Sequence, residues 1–315
     1  MWFPFRTCHI RWPMRAEVCS QMTISRRVFL HSIVTASLLI PAPLRAQVAG
    51  KRVVSLDYGL TSTLLSLGVI PVGISDLADW GRWVVDPVVP HSVVDIGSSY
   101  EVDFERLIQL KPDVILTTPY LDELLPKLQP IAKILRMEIF TPDTGQILPA
   151  AMAATRKLAA ELGRAHEGEQ FLARSDAFFN KCRERLGGVA VPPVALVSFM
   201  DARHVRVYSA PGLFHNALER IGIRNAWTRQ SNYWGFETIG IEELSVITQT
   251  DARLIAFDPV PPDVLPKLAE SPLWQALPFA RPGQFSVVPP ALMFGMVNEA
   301  VRFAGLVTDL LEQDA

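Results

Sequence analysis

Strand-like and helix-like segments alternate in each half of the chain, and a long helical block separates the halves. The sequence therefore predicts an α/β protein of two lobes joined by a single long helix. In the first half, residues 52–57 form a short β-branched run, 60–67 read as a helix, and 70–75 turn apolar again after Gly68. A helix at 104–110, a buried strand at 113–118, a helix at 121–131 and a strand at 138–141 complete that half. Strands separated by helices of this length imply a parallel or mostly parallel sheet. Residues 147–162 hold no glycine, and no proline after Pro149. Their Leu148, Ala151, Met152, Thr155, Leu158, Ala159 and Leu162 mark one face at helical spacing. Gly163 suits a C-cap, and a second helix spans 167–186. The second half begins with strands at 194–199 and 205–208, then a helix at 213–221 and a segment at 241–247. Strands at 253–258 and 284–288 and a closing helix at 298–311 follow. The expected organisation is a leader (1–46), an N-terminal α/β lobe (47–145), a helical spine with its following helix (146–188) and a C-terminal α/β lobe (189–315).

The leader reads as an export signal. Arg26 and Arg27 precede an apolar run from Val28 to Ile40, which ends at Pro41, Pro43 and the small-residue site Leu44-Arg45-Ala46. This is the layout of a twin-arginine signal cleaved near Ala46. The alternative, an anchor left in the membrane, asks for a longer apolar run. A signal starting at Met22 has normal proportions, so Met22 is the expected true start. No cysteine follows the apolar run, which points to a free periplasmic protein and not a lipid-anchored one. Cys8 and Cys19 fall in the leader, so Cys182 is the lone thiol of the remainder and reads as a buried helical residue.

Formal net charge is −2, and no basic run stands out, which argues against a nucleic-acid partner. Phosphate-cradle glycine motifs, G-x-S-x-G, H-E-x-x-H and C-x-x-C are all missing. His91, His166, His204 and His215 do not pair at i, i+4, so no metal site or resident cofactor is expected. Nothing in the chain asks for an enzyme. What stands out is the placement of aromatics: Tyr58, Trp80, Trp83, Tyr100, Tyr120, Tyr208, Trp227, Tyr233 and Trp234 fall mostly just after expected strands or in irregular segments. Ligands of α/β sheets bind at the carboxyl ends of strands, and Tyr and Trp there suit a bulky amphipathic ligand. The alternative for each ring is packing between loops and helices; Trp274 reads that way.

The second half contains R-H-V-R-V-Y-S-A-P-G-L-F (203–214), G-I-R-N-A-W (222–227), N-Y-W-G (232–235) and S-P-L-W-Q-A-L-P-F (271–279). The first half contains L-G-V-I-P-V-G-I-S-D (67–76), W-V-V-D-P (83–87) and D-F-E-R-L-I-Q-L-K-P-D-V-I-L (103–116). Over nearly all of the chain past the leader, these resemble the periplasmic ferric-hydroxamate-binding proteins of ABC importers, which are class III binding proteins. The resemblance implies a shallow cleft between two lobes held by one long helix, with little closure. It implies a ferric siderophore as ligand, iron held by the siderophore's own oxygens, and an inner-membrane ABC permease with its ATPase as partner to a monomer. By position, Tyr58, Trp83, Trp227 and Trp234 would line the cleft, and Tyr120 matches a tyrosine at the iron–hydroxamate centre. Glu105 and Glu242, one per lobe, match acids that meet permease arginines; the plainer reading of each is a solvated charge.

Departures from the family pattern bear on the ligand. Ser99, beside Tyr100, stands where the family has a hydroxamate-binding arginine, and Arg203 and Arg206 are candidates to replace it. Phe236 takes a serine's place, and an aromatic pair becomes Leu292 and Met293, followed by Phe294. The candidate ligand-binding residues are thus Tyr58, Trp83, Ser99, Tyr100, Tyr120, Tyr208, Trp227, Trp234, Phe236 and Phe294. A cobalamin or haem carrier on the same scaffold is the competing reading, and an exported siderophore-processing enzyme a more distant one.

Overall fold

The computed structural model describes residues 50–188 and 190–313; the segment expected to be a twin-arginine leader, the expected cleavage site, Cys8 and Cys19 lie outside them. The chain enters through β1 (Val53–Ser55), fully buried, and turns at once into α1 (Tyr58–Ser66). Asp57 caps that helix, its Oδ1 accepting the Leu60 N–H at 2.9 Å. β2 (Gly73–Ile74), the single turn α2 (Trp80–Trp83), β3 (Val94–Asp95) and α3 (Phe104–Gln109) follow, then β4 (Val114–Thr117). The first sheet has the order β3-β2-β1-β4-β5, all parallel, with β5 (Lys133–Arg136) at one edge. The V-V-S and V-I-L-T runs of β1 and β4 are buried throughout, as strands covered on both faces must be.

Two expectations in this half are corrected. The last strand lies at Lys133–Arg136 and not at 138–141. β5 pairs only with β4, so it carries charged ends, while the more apolar M-E-I-F run leaves the sheet, with Met137 and Ile139 buried in the main core. The helix expected at 121–131 is a 3-10 segment (Pro119–Leu124) and one helical turn, α4 (Leu125–Leu128). Pro126 lacks the N–H that a continuous helix needs there.

The crossing to the second half runs through α5 (Ile147–Glu161) and α6 (Ala165–Leu186). Gly163, at φ +69°, ends α5, and the Arg164 N–H bonds back to the Ala159 carbonyl at 2.7 Å. α5 begins against the second half, its Leu148 N–H bonded to Asn216 Oδ1, and ends against the first, where Lys51 and Lys133 reach Glu161. Cys182 is buried in α6, as expected. The second sheet has the order β10-β9-β6-β7-β8, built from β6 (Val194–Phe199), β7 (His204–Tyr208), β8 (Phe236–Gly240), β9 (Arg253–Phe257) and β10 (Phe285–Val288). β6, β9 and β10 are parallel, but β6–β7 and β7–β8 are antiparallel. The four residues between β6 and β7 are too few for a crossover, so the chain must turn back as a hairpin. Helices α7 (Leu213–Ile221), α8 (Val264–Glu270), α9 (Pro272–Ala276) and α10 (Val297–Gln313) cover this sheet; Trp274 is packed in its core.

α10 ties the halves together. Its Asn298 side chain donates to the Ser62 carbonyl and Ser66 Oγ of α1, while Phe303 stacks on Phe214 of α7 with ring centroids 4.4 Å apart. One core cluster accordingly contains β1 and α1, the pair α5–α6, β6, α7 and α10. Among the described residues, no helix is long and apolar enough to cross a membrane.

Candidate functional site

The strand order reverses between β1 and β4, so the loops leaving their carboxyl ends diverge and open a crevice. Asp57 and Tyr58 leave β1 there, and Tyr120 leaves β4 through the 3-10 turn. In the second sheet the carboxyl ends of β6 and β9 contribute Ser198, Phe199, Phe257 and Asp258 to the same space. Between the sheets lies a cavity of about 660 Å³. Tyr58, Trp83, Ser99, Tyr100, Tyr120, Tyr208, Trp234, Phe236 and Phe294 all line it.

Local chemistry explains several placements. The Tyr58 hydroxyl donates to the Asp76 carbonyl at 2.8 Å, and its ring meets Trp80 edge-on, which fixes one wall. The Ser99 N–H donates to Asp76 Oδ2 at 3.0 Å, and Ser99 itself is almost fully buried, whereas Tyr100 is exposed at the rim. The N-Y-W-G turn is held by Asn232 Oδ1, which accepts the Trp234 N–H at 2.9 Å. Gly235, at φ +83°, presses its backbone onto Gly212, where a Cβ would approach Gly212 Cα to 2.1 Å. That turn projects the Trp234 ring between the sheets. It stacks on Phe140 at 5.3 Å and meets Phe294 edge-on at 5.4 Å and Tyr120 at 6.4 Å.

Two guanidinium groups enter this apolar lining. Arg206 lies with its Cζ 4.3 Å from the Phe236 ring centre and 5.9 Å from that of Phe294; its buried Nε has no hydrogen-bond partner among the described residues. Arg82 lies 4.8 Å over Trp83. Arg203, the other candidate to replace the missing arginine, is exposed and does not line the cavity. Tyr208 lines the cavity from β7, sharing a 2.7 Å hydrogen bond with Ser198 Oγ. Burial raises the pKa of Tyr58, Tyr120 and Tyr208, with nearby acids adding to the effect for the first two. Burial likewise pushes the Asp57 carboxyl up to about 6, against the pull of the Leu60 N–H and the Tyr120 hydroxyl.

Trp227 is the exception and corrects the sequence expectation. It is fully buried in the second sheet's own core, with Nε1 donating to Glu237 Oε1 at 2.8 Å and Arg229 lying over its outer side. The N-A-W loop pairs alongside β6 through Asn225 and Val194, and this directs the ring away from the cleft. Conversely, Phe140, Arg82, Asp57 and Asp76 line the cavity without having been singled out. Asp57 was open to detection as the capping residue between a buried strand and the helix after it; Phe140 was hidden by the misplaced strand. Glu105 is exposed in the first turn of α3, and Glu242 is exposed in the 3-10 segment after β8 (Ile241–Val246). Neither makes an ion pair among the described residues, whereas the neighbouring Glu243 pairs with Arg229 at 2.9 Å. The described residues contain no group of three or more His, Cys, Asp or Glu side chains arranged to hold a metal ion.

Two α/β lobes on one shared helical core, with an aromatic-lined cleft between them, define a protein that holds a small molecule between its lobes. The chain belongs to the periplasmic binding protein family, whose sequence pattern matches residues 53–292. It is similar to the iron(3+)-hydroxamate-binding protein FhuD of Escherichia coli (strain K12), at 29% identity over 291 residues, covering 91% of this chain and 97% of that one. It is also similar to the achromobactin-binding periplasmic protein of Dickeya dadantii (strain 3937), at 26% identity, covering 85% and 89% of the two chains. Among solved structures, the Fe3+–Desferal-bound siderophore-binding protein FhuD of Vibrio cholerae superposes with a TM-score of 0.78 at 29% identity. That match covers 85% of this chain and all of that one. The fold is that of the class III binding proteins, with a long helical connection between lobes.

Proposed function

We propose that this chain captures a ferric siderophore, of hydroxamate type, and delivers it to an ABC permease of the inner membrane. The observation that carries the reading is the cavity of about 660 Å³, walled by tyrosine, tryptophan and phenylalanine rings from both sheets. Such a wall suits a bulky chelate that is apolar on its flanks and polar at its metal centre. The ligands named for the E. coli and V. cholerae relatives support the same chemistry, and those relatives are binding proteins. Iron travels as cargo: the siderophore's oxygens coordinate it, and the protein recognises the outside of the complex. Tyr58, Trp83, Trp234, Phe236 and Phe294 stack against its flanks, with Tyr100 at the rim and Tyr208 and Ser99 on the inner wall, while Tyr120 faces the metal centre. Arg206 supplies from the second lobe the charge-assisted contact that Ser99 cannot make. The protein acts as a periplasmic monomer, exported through the twin-arginine route and cleaved near Ala46. Glu105 and Glu242 meet basic groups of the permease.

The test is a tryptophan-fluorescence titration with ferric hydroxamates, ferric catecholates, haem and cobalamin. Saturable quenching by a ferric hydroxamate is expected, and Arg206→Ala should weaken it by about tenfold or more, the worth of a hydrogen bond to a charged group. Tight binding confined to haem or cobalamin would overturn the ligand class. Unchanged affinity in Arg206→Ala would remove that residue's role.

A further inference from the structure

The floor of the cleft contains a carboxyl group that the proposed function does not use. Asp57 and Tyr120 stand at the carboxyl ends of β1 and β4, the adjacent central strands of the first sheet. Asp57 Oδ1 is committed to the Leu60 N–H at the start of α1, while Oδ2 faces the Tyr120 hydroxyl at a long 3.4 Å. Behind Asp57, α1 and α10 meet closely enough that a Cβ on Gly59 would touch Gly295 and Met296 at about 3.1 Å. That contact brings the buried Glu299 within electrostatic reach of Asp57; Glu299 Oε2 itself accepts the Met296 N–H at 2.6 Å.

We infer that Asp57 is a positioning residue for ligand capture, deciding through Tyr120 whether the cleft floor offers a proton or a lone pair to an oxygen-rich, negatively polarised chelate. The inference rests on the proposed function. A carboxylate can only accept, so an ionised Asp57 draws the phenol proton toward itself and turns the phenol's lone pairs to the cavity. A protonated Asp57 donates to the phenol oxygen, and the phenol proton is free to point at a ligand oxygen. Removing the carboxylate charge also removes a repulsion toward that oxygen, so both effects favour binding to the protonated form.

The charges around the pair do not cancel this effect. Asp76 beyond β2 acts on the Tyr120 phenol, burial pushes the Glu299 carboxyl on α10 up to about 7, and burial raises the Tyr58 phenol, which stays neutral. Arg82 on α2, Arg206 on β7 and Asp258 beyond β9 line the same cavity, and none is hydrogen-bonded to Asp57. Burial already holds Asp57 near 6 in the free protein. A ligand that prefers the protonated form raises this value further. Affinity is then full below about pH 6 and declines as pH rises through the value of the bound state.

The test combines a ligand titration with a ligand-free one. Dissociation constants for a ferric hydroxamate are measured from pH 5 to 8, with its visible absorbance followed to show that the chelate stays intact. The expected result is a loss of about tenfold across that range, one hydrogen bond's worth. Asp57→Asn keeps the helix cap, because Asn caps as well as Asp, and presents an N–H to the phenol. It should bind at pH 8 as tightly as the unaltered protein does at pH 5, with a flat profile. Tyr120→Phe should bind weakly and keep only the part of the step that the Asp57 charge itself produces, whereas Glu299→Gln should keep the whole step. In the free protein, ¹³C NMR should show the Asp57 carboxyl titrating near 6 and the Tyr120 ring carbons following it, a coupling lost in Tyr120→Phe. A pH step that survives in Asp57→Asn, or a flat profile in the unaltered protein, overturns the inference and leaves the siderophore reading intact. If no ferric hydroxamate binds at any pH, the proposed function falls. An uncoupled pair of NMR titrations would then remove the Asp57–Tyr120 linkage independently.

Discussion

The Trp234 ring meets aromatic partners from both sides of the cleft, Tyr120 and Phe140 on one side and Phe294 on the other. Because it is partly exposed, its removal opens the cleft without emptying a core. Trp234→Ala should weaken ferric-hydroxamate binding by about tenfold or more, as loss of a central aromatic anchor does. The melting temperature should stay within a few degrees, read by circular dichroism. Unchanged affinity in the folded variant would remove Trp234 from the site. Trp227 shows why such residues cannot be sorted by type. It also sits in a loop after an irregular stretch, yet its indole N–H finds a buried partner in Glu237, and the ring completes a core. Both rings satisfy their chemistry, and the direction each takes depends on which surface its loop packs against.

At the scale of elements, the turn bearing Trp234 depends on two glycines whose backbones touch. Gly235 sits at positive φ, and Gly212 leaves it no room for a side chain. Gly235→Ala should therefore destabilise the protein by about 1–2 kcal/mol from the backbone conformation alone, with the contact adding more. A urea titration measures this, and ligand affinity should fall with it as Trp234 shifts. A variant with unchanged midpoint and affinity would contradict this account of the turn. Helices and central strands were largely legible: β6 and α7 occupy the segments their patterns predict, because a continuous apolar run and a clean helical face admit few alternatives. Elements at the margins were not. β3 is two residues long, β5 is a charged edge, and β8 alternates only weakly, so each owes its pairing to a neighbour and not to its own sequence.

At the scale of the whole molecule, the two sheets share one apolar core through α5, α6 and α10. Large apolar interfaces resist relative motion, so the spacing between the lobes is held rigidly. That rigidity gives meaning to one exposed acid per lobe, since Glu105 and Glu242 would present a constant pair of charges to a membrane partner. Replacing both by alanine should leave siderophore affinity within about twofold, because exposed charges on the rim mainly affect encounter. Uptake through the cognate permease should drop. Normal uptake by the double variant would show that docking uses another surface.

The sequence alone determined the two α/β halves, the helical block between them, and the gathering of tyrosine and tryptophan at strand ends. These follow from local periodicity and from the few residues able to end a helix or leave a sheet. Through the family resemblance it also marked Arg203 and Arg206 as candidates to replace the arginine that Ser99 displaces. The tertiary structure alone decided that Arg206 and not Arg203 faces the cleft, that Trp227 faces a core, and that Phe140 and Asp57 belong to the lining. Each of these depends on contacts between residues far apart in the chain, such as Tyr120 with Asp57 or Gly235 with Gly212. Local sequence carries no record of such contacts until the two sheets close on their common core.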